Sequence, residues 1–313
     1  MRFISAAGSG FGLDDLPVAA IQKLGIDREN DLRVEWVRVR GGVKAMEALI
    51  DGEGIVAYGG YGAALLKSGE GSLKIVASTT CGLAQELVGK AVLPRSKADR
   101  KIRWGVDGIG AMSHQLAREI VMTFGLEESK IEFVVSGPPE DRIHALLDGS
   151  VDASLLRLEE SLDLTKKRRD SLGKILTFEE INARVLPPVH GVIATTDDNI
   201  KTENEIIQKV VECMLLSNRA LNSDFVSFEK AMKSVSRYQD GLQDLWGRVT
   251  KAGLFAVNGG MNGNAWKRKM ENYFQHLDQK SVNLNSVTDH SFVGNALKRH
   301  GTSDAHWDVP SFE

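Results

Sequence analysis

Several turns between the strands and helices that the sequence predicts contain glycine or serine. In parallel α/β units, helices begin where strands end, and helix N-termini present unpaired N–H groups and a partial positive charge there. Glycine lets an anionic group approach the backbone closely, and a serine hydroxyl can donate a hydrogen bond to it. Any one of these turns can also be an ordinary connection. Together they predict a site for a small ligand, with the candidate residues Ser9, Gly10, Gly41, Gly42, Gly59, Thr80, Gly110, Ser113 and Gly137.

Three larger side chains near these turns extend the candidate site. Tyr58 and Tyr61 flank a glycine pair just after a predicted strand, where aromatic rings either line a ligand cleft or pack beneath the turn. Arg157 directly follows another predicted strand, and its guanidinium can hold a carboxylate or a sulfonate by two hydrogen bonds. The alternative for Arg157 is a surface ion pair with Glu159 or Glu160.

The sequence shows no spacing that is typical of metal, nucleotide or acyl-enzyme chemistry. Its first glycine turn has Gly8 and Gly10 but lacks the third glycine of a dinucleotide-binding loop. Two cysteines, Cys81 and Cys213, are too few for a disulfide framework or a four-ligand zinc site. We expect two separate buried thiols, the alternative being a bond between them. No cofactor and no metal are predicted.

Composition and charge exclude further classes of protein. The 313-residue chain has 39 Lys and Arg residues against 42 Asp and Glu residues, a formal net charge of -3. A dedicated nucleic-acid-binding protein would carry a basic excess, so no nucleic-acid partner is expected. No apolar stretch approaches the roughly 20 residues needed to span a bilayer. Because no leader precedes the first predicted strand, we expect either a cytoplasmic protein or a periplasmic one whose leader has been removed.

Short runs rich in β-branched residues alternate with amphipathic segments, which predicts an α/β fold with mostly parallel sheets. One pattern occurs twice: ALIDG at residues 48–52 and ALLDG at residues 145–149 each predict a helix end, a glycine cap and a following strand. This repeat indicates two similar α/β halves, with the second inserted into the first. Beyond Glu203 the chain is predicted to be mainly helical.

The second copy of this pattern belongs to a longer motif. The sequence ALLDGSVDA at residues 145–153 resembles the A-L-x-x-G-x-V-D-A signature of type II periplasmic substrate-binding proteins. The branch that it resembles serves ABC importers of nitrate, sulfonates, taurine and thiamine pyrimidine precursors. Residues 46–57, 73–77 and 289–297 are similar to further segments of that branch, in the same order. The chain departs from the family at Gly54 and Ile55, where Val-Asp is usual.

The resemblance implies a two-lobed type II periplasmic-binding-protein-like fold, with a mixed sheet flanked by helices in each lobe and a helical C-terminal tail. Lobe 1 would comprise residues 1–95 and 189–313, and lobe 2 residues 96–188. Two crossing segments, near residues 93–100 and 184–190, would join the lobes, and the ligand would sit in the cleft between them. His190, beside the second crossing, joins the ligand-binding candidates, although a lone histidine also fits an apolar core.

Three functions are compatible with this resemblance. The first is a binding module that captures a small anionic or heteroaromatic solute in the interlobe cleft, for transport by the permease of an ABC importer. The second is a cytoplasmic enzyme on the same fold, of the aromatic decarboxylase or desulfinase type, with Cys81, His190 and Arg157 as catalytic residues. The third is a sensory ligand-binding domain. Because no catalytic motif is recognised, we favour the binding module.

Overall fold

The chain divides into two compact units. The computed structural model describes residues 1–5, 12–39, 41–60, 72–90, 100–109, 111–168, 171–185, 191–236, 238–260 and 284–303. Unit 1 consists of Met1–Gly82 and Pro187–Glu313, and unit 2 of Leu83–Leu186, so that unit 2 is an insertion in unit 1. The observed first boundary lies earlier than the predicted one at residue 95, because the strand Gln85–Lys90 pairs within the sheet of unit 2.

Unit 1 is built on a mixed sheet of five strands. These strands are β1 (Arg2–Ser5), β2 (Glu35–Arg38), β3 (Val56–Gly60), β4 (Leu73–Ser78) and β10 (Gly191–Thr196). They lie in the order β2-β1-β3-β10-β4, with β1 parallel to β2 and β3, and β10 antiparallel to β3 and β4. Most residues of the three inner strands are buried, as expected for strands covered on both faces.

Helices pack against this sheet and make up most of the later part of the chain. They are α1 (Leu16–Lys23), α2 (Ile26–Glu29), α3 (Gly42–Ile50), α8 (Asp197–Thr202), α9 (Asn204–Ser223), α10 (Phe225–Val235), α11 (Leu242–Lys251), α12 (Leu284–Val287) and α13 (Ser291–His300). The longest, α9, buries Ile207, Val211 and Met214, whose spacing of four and three residues places them on one helical face. The predicted helical C-terminal region is confirmed.

Unit 2 repeats the architecture of unit 1. Its strands are β5 (Gln85–Lys90), β6 (Ile102–Val106), β7 (Ile131–Val135), β8 (Ala153–Arg157) and β9 (Leu172–Leu176). Its helices are α4 (Met112–Thr123), α5 (Pro139–Asp148), α6 (Leu158–Lys167) and α7 (Phe178–Arg184). The strand order is β7-β6-β8-β5-β9, and β5 is antiparallel to both of its neighbours. This is the arrangement of the first sheet, with β5 in the place of β10.

The repeated sequence pattern occupies corresponding places in the two sheets. Gly52 follows α3 with a φ of 77°, and Gly149 follows α5 with a φ of 81°. Both values lie in the left-handed region, which glycine adopts without steric cost at the end of a helix. Each glycine leads into the middle strand of its sheet, β3 or β8.

A buried carboxylate lies at the start of β8. Asp152 is fully buried and accepts hydrogen bonds from Nη1 of Arg100 at 2.8 Å and from the backbone N–H of Arg103 at 3.0 Å. Nζ of Lys90 lies 3.6 Å from the same carboxylate. Burial by itself raises the pKa of Asp152, but the hydrogen bonds from Arg100 and Arg103 outweigh it and hold this pKa well below its usual range.

One side chain links the first residue of unit 2 to the last helix of that unit by hydrogen bonds. Oδ1 of Asn182 accepts a hydrogen bond from the backbone N–H of Leu83 at 3.0 Å, and Nδ2 donates to the carbonyl of Leu83 at 2.9 Å. Both groups of the Asn182 amide are therefore used in holding the first residue of the unit beside α7.

Among the described residues, each helix is either too short or too polar to cross a lipid bilayer.

Candidate functional site

Two of the predicted glycines, Gly42 and Gly59, come together in unit 1, and the predicted Gly41 directly precedes Gly42. Gly41 precedes α3 with a φ of 90°, a conformation that other residues rarely adopt. A Cβ atom on Gly59 would lie 3.4 Å from Cα of Gly42 and 2.9 Å from Cε of Met46. Gly59 therefore lets the end of β3 pack directly against the N-terminus of α3. The sequence predicted that these glycines let a ligand approach the backbone, whereas at Gly59 the space is used by α3.

Tyr58 is buried beneath this part of the sheet. Its hydroxyl donates a hydrogen bond to Oδ1 of Asp15 at 2.6 Å and lies 3.3 Å from the carbonyl of Asp14. Both aspartates lie in the 3-10 turn Leu13–Asp15 and are buried. The phenol of Tyr58 thus ties β3 to the segment that follows β1, which corresponds to the packing alternative for this residue.

Two threonines follow β4, and their hydroxyl groups are buried without a hydrogen-bond partner. Thr79 and Thr80 are both fully buried, and neither Oγ1 atom is satisfied. Gly191 leaves the space that Thr79 needs, since a Cβ atom there would lie 2.1 Å from Oγ1 of Thr79. Buried hydroxyl groups are normally hydrogen-bonded, so these two are available to a bound molecule or water. Thr80 is one of the residues predicted from the sequence, and Thr79 is not.

In unit 2, the predicted residues Ser113 and Gly137 shape the turns after β6 and β7. Oγ of Ser113 accepts a hydrogen bond from the backbone N–H of Asp107 at 2.8 Å, which closes the turn between β6 and α4. Gly137 has a φ of 81° and precedes α5. The N-terminus of α5 receives no hydrogen bond from a capping side chain, so its first N–H groups remain open to other acceptors.

Arg157 lies at the end of β8, as predicted, and engages Glu160. Its backbone N–H donates to Oε2 of Glu160 at 3.2 Å, and its Nη1 lies 3.9 Å from Oε1. The predicted alternative of an ion pair with Glu160 is therefore present. Burial raises the pKa of Glu160, while Arg157 opposes that rise. Arg157 lies at the carboxyl end of β8, where a ligand was predicted, but the carboxylate beside it is the side chain of Glu160.

A second arginine, which was not predicted from the sequence, lies at this end of the sheet. Arg142 is 6 % exposed, and its Nε and Nη1 atoms are buried without a hydrogen-bond partner. Burial is the main cause of a lowered pKa of Arg142, and Asp107, Glu160 and Arg157 are close enough to contribute. The sequence contains one indication that Arg142 is buried. It precedes the buried Leu146 by four residues, and the two residues therefore share a helical face.

Solved structures resemble this chain over nearly its whole length. The ligand-binding component of an ABC-type import system from Staphylococcus aureus, solved with zinc bound, matches with a TM-score of 0.75 and 12% identity, over 95% of this chain and 98% of that one. The periplasmic aliphatic sulphonate binding protein SsuA from Escherichia coli matches with a TM-score of 0.66 and 15% identity, over 91% and 90%.

A Candida albicans gene product, described as exhibiting the generic periplasmic binding protein structural fold, matches with a TM-score of 0.67 and 14% identity. This match covers 95% of the present chain and 94% of the Candida chain. The chain has the periplasmic binding protein fold. The fold predicted from the sequence resemblance is thereby confirmed, with mixed sheets flanked by helices in both units. No protein-family model matches the sequence, and no curated protein matches it significantly.

Five of the predicted ligand-binding residues lie outside the part of the chain that the structure describes: Ser9, Gly10, Tyr61, Gly110 and His190. Within the described ranges, no three side chains of His, Cys, Asp or Glu come together in a way that could hold a metal ion.

Both cysteines of the fold are free and buried, as predicted. Cys81 is 1 % exposed, and its backbone N–H donates to the carbonyl of Leu254 at 2.6 Å. Burial, followed by the charges of Asp27 and Glu212, raises the pKa of the Cys213 thiol to about 12. A thiol in such a site is a weak nucleophile near neutral pH.

Proposed function

We propose that this protein is the substrate-binding component of an ABC-type importer and captures a small anionic or heteroaromatic solute without changing it chemically. One observation carries the proposal: polar groups without partners lie at the carboxyl ends of the strands in both units. They are the hydroxyl groups of Thr79 and Thr80 after β4, and the guanidinium of Arg142 after β7. We infer that groups of this kind contact the bound solute.

The comparisons support the same class of function. Proteins of this fold include the ligand-binding component of an import system and an aliphatic sulphonate binding protein. By analogy we propose a membrane permease as the partner and a periplasmic or other extracytoplasmic location. The fold alone does not specify a ligand, because turn geometry and donor groups select the solute.

The described site gives no support to the enzymatic alternative. Its proposed nucleophile, Cys81, is buried, and the proposed Arg157 is engaged with Glu160. Both features suit a protein that binds without catalysing a reaction.

The test is a binding screen on the purified full chain. Thermal-shift measurements with sulfonates, aromatic carboxylates and pyrimidines should identify a class that raises the melting temperature, and calorimetry should then show saturable binding at a ratio of one to one. A ligand at 100 times its dissociation constant stabilises the folded state by about 2.7 kcal/mol, which is readily detected.

Thr80→Val supplies the matched comparison, because it removes one hydroxyl while keeping the shape of the side chain. We expect its affinity for the identified solute to fall about tenfold, the loss of roughly one hydrogen bond. Thr202→Val, at the exposed end of α8, is the control and should bind normally. Absence of binding across the whole panel, or conversion of a solute into a product detected by NMR, would contradict the proposal.

A further inference from the structure

Arg142 occupies an unusual position for an arginine. It is the fourth residue of α5, and its helical face continues inward to Leu146, which packs with Val151 and Leu156 in the core of unit 2. Because α5 begins just after β7, the first turn of this buried face lies at the carboxyl edge of the sheet. The guanidinium of Arg142 is thus held at the edge where β6, β7 and β8 end.

The charges around Arg142 do not satisfy it. Asp107 follows β6, while Glu160 and Arg157 lie at the start of α6, and all three influence Arg142 electrostatically. In the part of the chain that the structure describes, no carboxylate comes within 4 Å of the guanidinium. Glu160 instead accepts a hydrogen bond from the N–H of Arg157. A buried charge without a close partner is costly, so the folded chain keeps Arg142 in a state that a bound anion would relieve.

We propose that Arg142 anchors an oxyanion group of the solute, a carboxylate or a sulfonate, at the uncapped N-terminus of α5. This inference rests on the proposed function and narrows it to solutes that carry such a group. Arginine offers only donors and remains positively charged, so an acceptor with negative charge is its natural partner. The open N–H groups and the partial positive charge at the start of α5 favour the same kind of ligand.

A purely structural role for Arg142 predicts a different response to substitution. If the side chain stabilised the fold through its neighbours, Arg142→Met would lower the melting temperature of the ligand-free protein. If it is an unpaired charge awaiting a ligand, replacement by an apolar chain of similar length should leave that temperature unchanged or raise it. Ligand-free melting therefore separates the two roles before any ligand is added.

The experiment uses the full chain with methanesulfonate and acetate as probes, at matched ionic strength with chloride as the reference salt. We expect the wild type to show saturable binding of at least one probe by calorimetry, and Arg142→Met to bind it at least tenfold more weakly. Arg118→Met is the matched control, because it removes one positive charge from α4, where Arg118 pairs with Glu128. It should bind as the wild type does. The two probes show whether a sulfonate or a carboxylate is preferred.

Three results would overturn the inference. In the first, Arg142→Met binds the probe within twofold of the wild type. In the second, ligand-free Arg142→Met melts well below the wild type, which would assign a structural role. In the third, the wild type binds solutes of the wider screen but none with an oxyanion group. Each of these leaves the proposed binding function standing, whereas a wild type that binds no solute at all removes both.

Discussion

Units 1 and 2 share a strand order and strand directions but stabilise them with different chemistry. By register, Ile55 and Val192 of unit 1 correspond to Asp152 and Glu86 of unit 2. Unit 2 thus has two carboxylates where unit 1 has two apolar side chains, and both carboxylates are fully buried.

Each carboxylate of unit 2 is held by several donors. Asp152 is held by Arg100 and Arg103, and Glu86 accepts from Oγ of Ser161 at 2.6 Å and from Nζ of Lys174 at 3.1 Å. At the position of unit 1 that corresponds to Asp152, neutral side chains donate hydrogen bonds to a backbone carbonyl instead. Oγ1 of Thr195 donates to the carbonyl of Ile55 at 2.7 Å, and Nδ2 of Asn199 donates to it at 3.0 Å. One topology can therefore be stabilised by buried charge or by neutral hydrogen bonds, and only the first depends on pH.

The largest effect that we expect from this difference is in Asp152→Ala. Asp152 is the buried member of its charge cluster, and removing its carboxylate breaks the hydrogen bonds from Arg100 and Arg103, so we expect the free energy of unfolding to fall by about 3 kcal/mol. Urea denaturation followed by circular dichroism measures it. Asp163→Ala is the control, since Asp163 is an exposed acid that pairs with Lys167, and its effect should stay within about 0.5 kcal/mol. Equal effects for the two variants would show that the Asp152 cluster contributes little.

A smaller effect should come from the start of the antiparallel strand, where unit 1 has Gly191 and unit 2 has Gln85. A Cβ atom on Gly191 would meet Oγ1 of Thr79 at 2.1 Å and Cε2 of Tyr58 at 2.7 Å. We expect Gly191→Ala to lower the free energy of unfolding by about 2 kcal/mol through overpacking.

Gly247→Ala is the matched control for Gly191→Ala. Nothing lies within 4 Å of the added atom at Gly247, which is in the interior of α11. Alanine there should raise stability by about 0.5 kcal/mol, because it is the better helix former. A stable Gly191→Ala protein would show that β4 and β10 can separate to admit a methyl group.

The smallest effect concerns pH and Asp152 alone. Because the pKa of Asp152 is lower in the folded than in the unfolded chain, its stabilisation is complete at neutral pH and is lost as the pH falls below about 4. The difference in unfolding free energy between the wild type and Asp152→Asn should shrink by about 1 kcal/mol between pH 7 and pH 3. Urea titrations at several pH values test this, and a difference that stays constant over the range would contradict it.

The sequence predicted the fold well where the signals are local. The helix, glycine and strand of each ALxDG segment are encoded within a few residues, so the repeat indicated two similar units before any pairing was known. The first boundary was placed late because strand pairing is not local: nothing within Gln85–Lys90 shows that it pairs with β8 and β9 rather than with the strands of unit 1.

The candidate site was predicted less completely, again for a physical reason. The glycine turns predicted an approach of a ligand to the backbone, whereas the structure shows that Gly59 makes room for Gly42 and Met46 of α3. Thr79 and Arg142 carry no such signal, because their importance lies in what surrounds them: burial without a partner. Only the four-residue spacing between Arg142 and Leu146 indicates that Arg142 faces the core. A charged residue at such a position is usually predicted to be exposed.

The amide of Asn182 has a consequence for how this chain could be rebuilt. Since it binds both backbone groups of Leu83, the first residue of unit 2 is held beside α7, the last helix of that unit. A different domain grafted in place of unit 2 would reproduce this feature if its first residue and its last helix were linked in the same way.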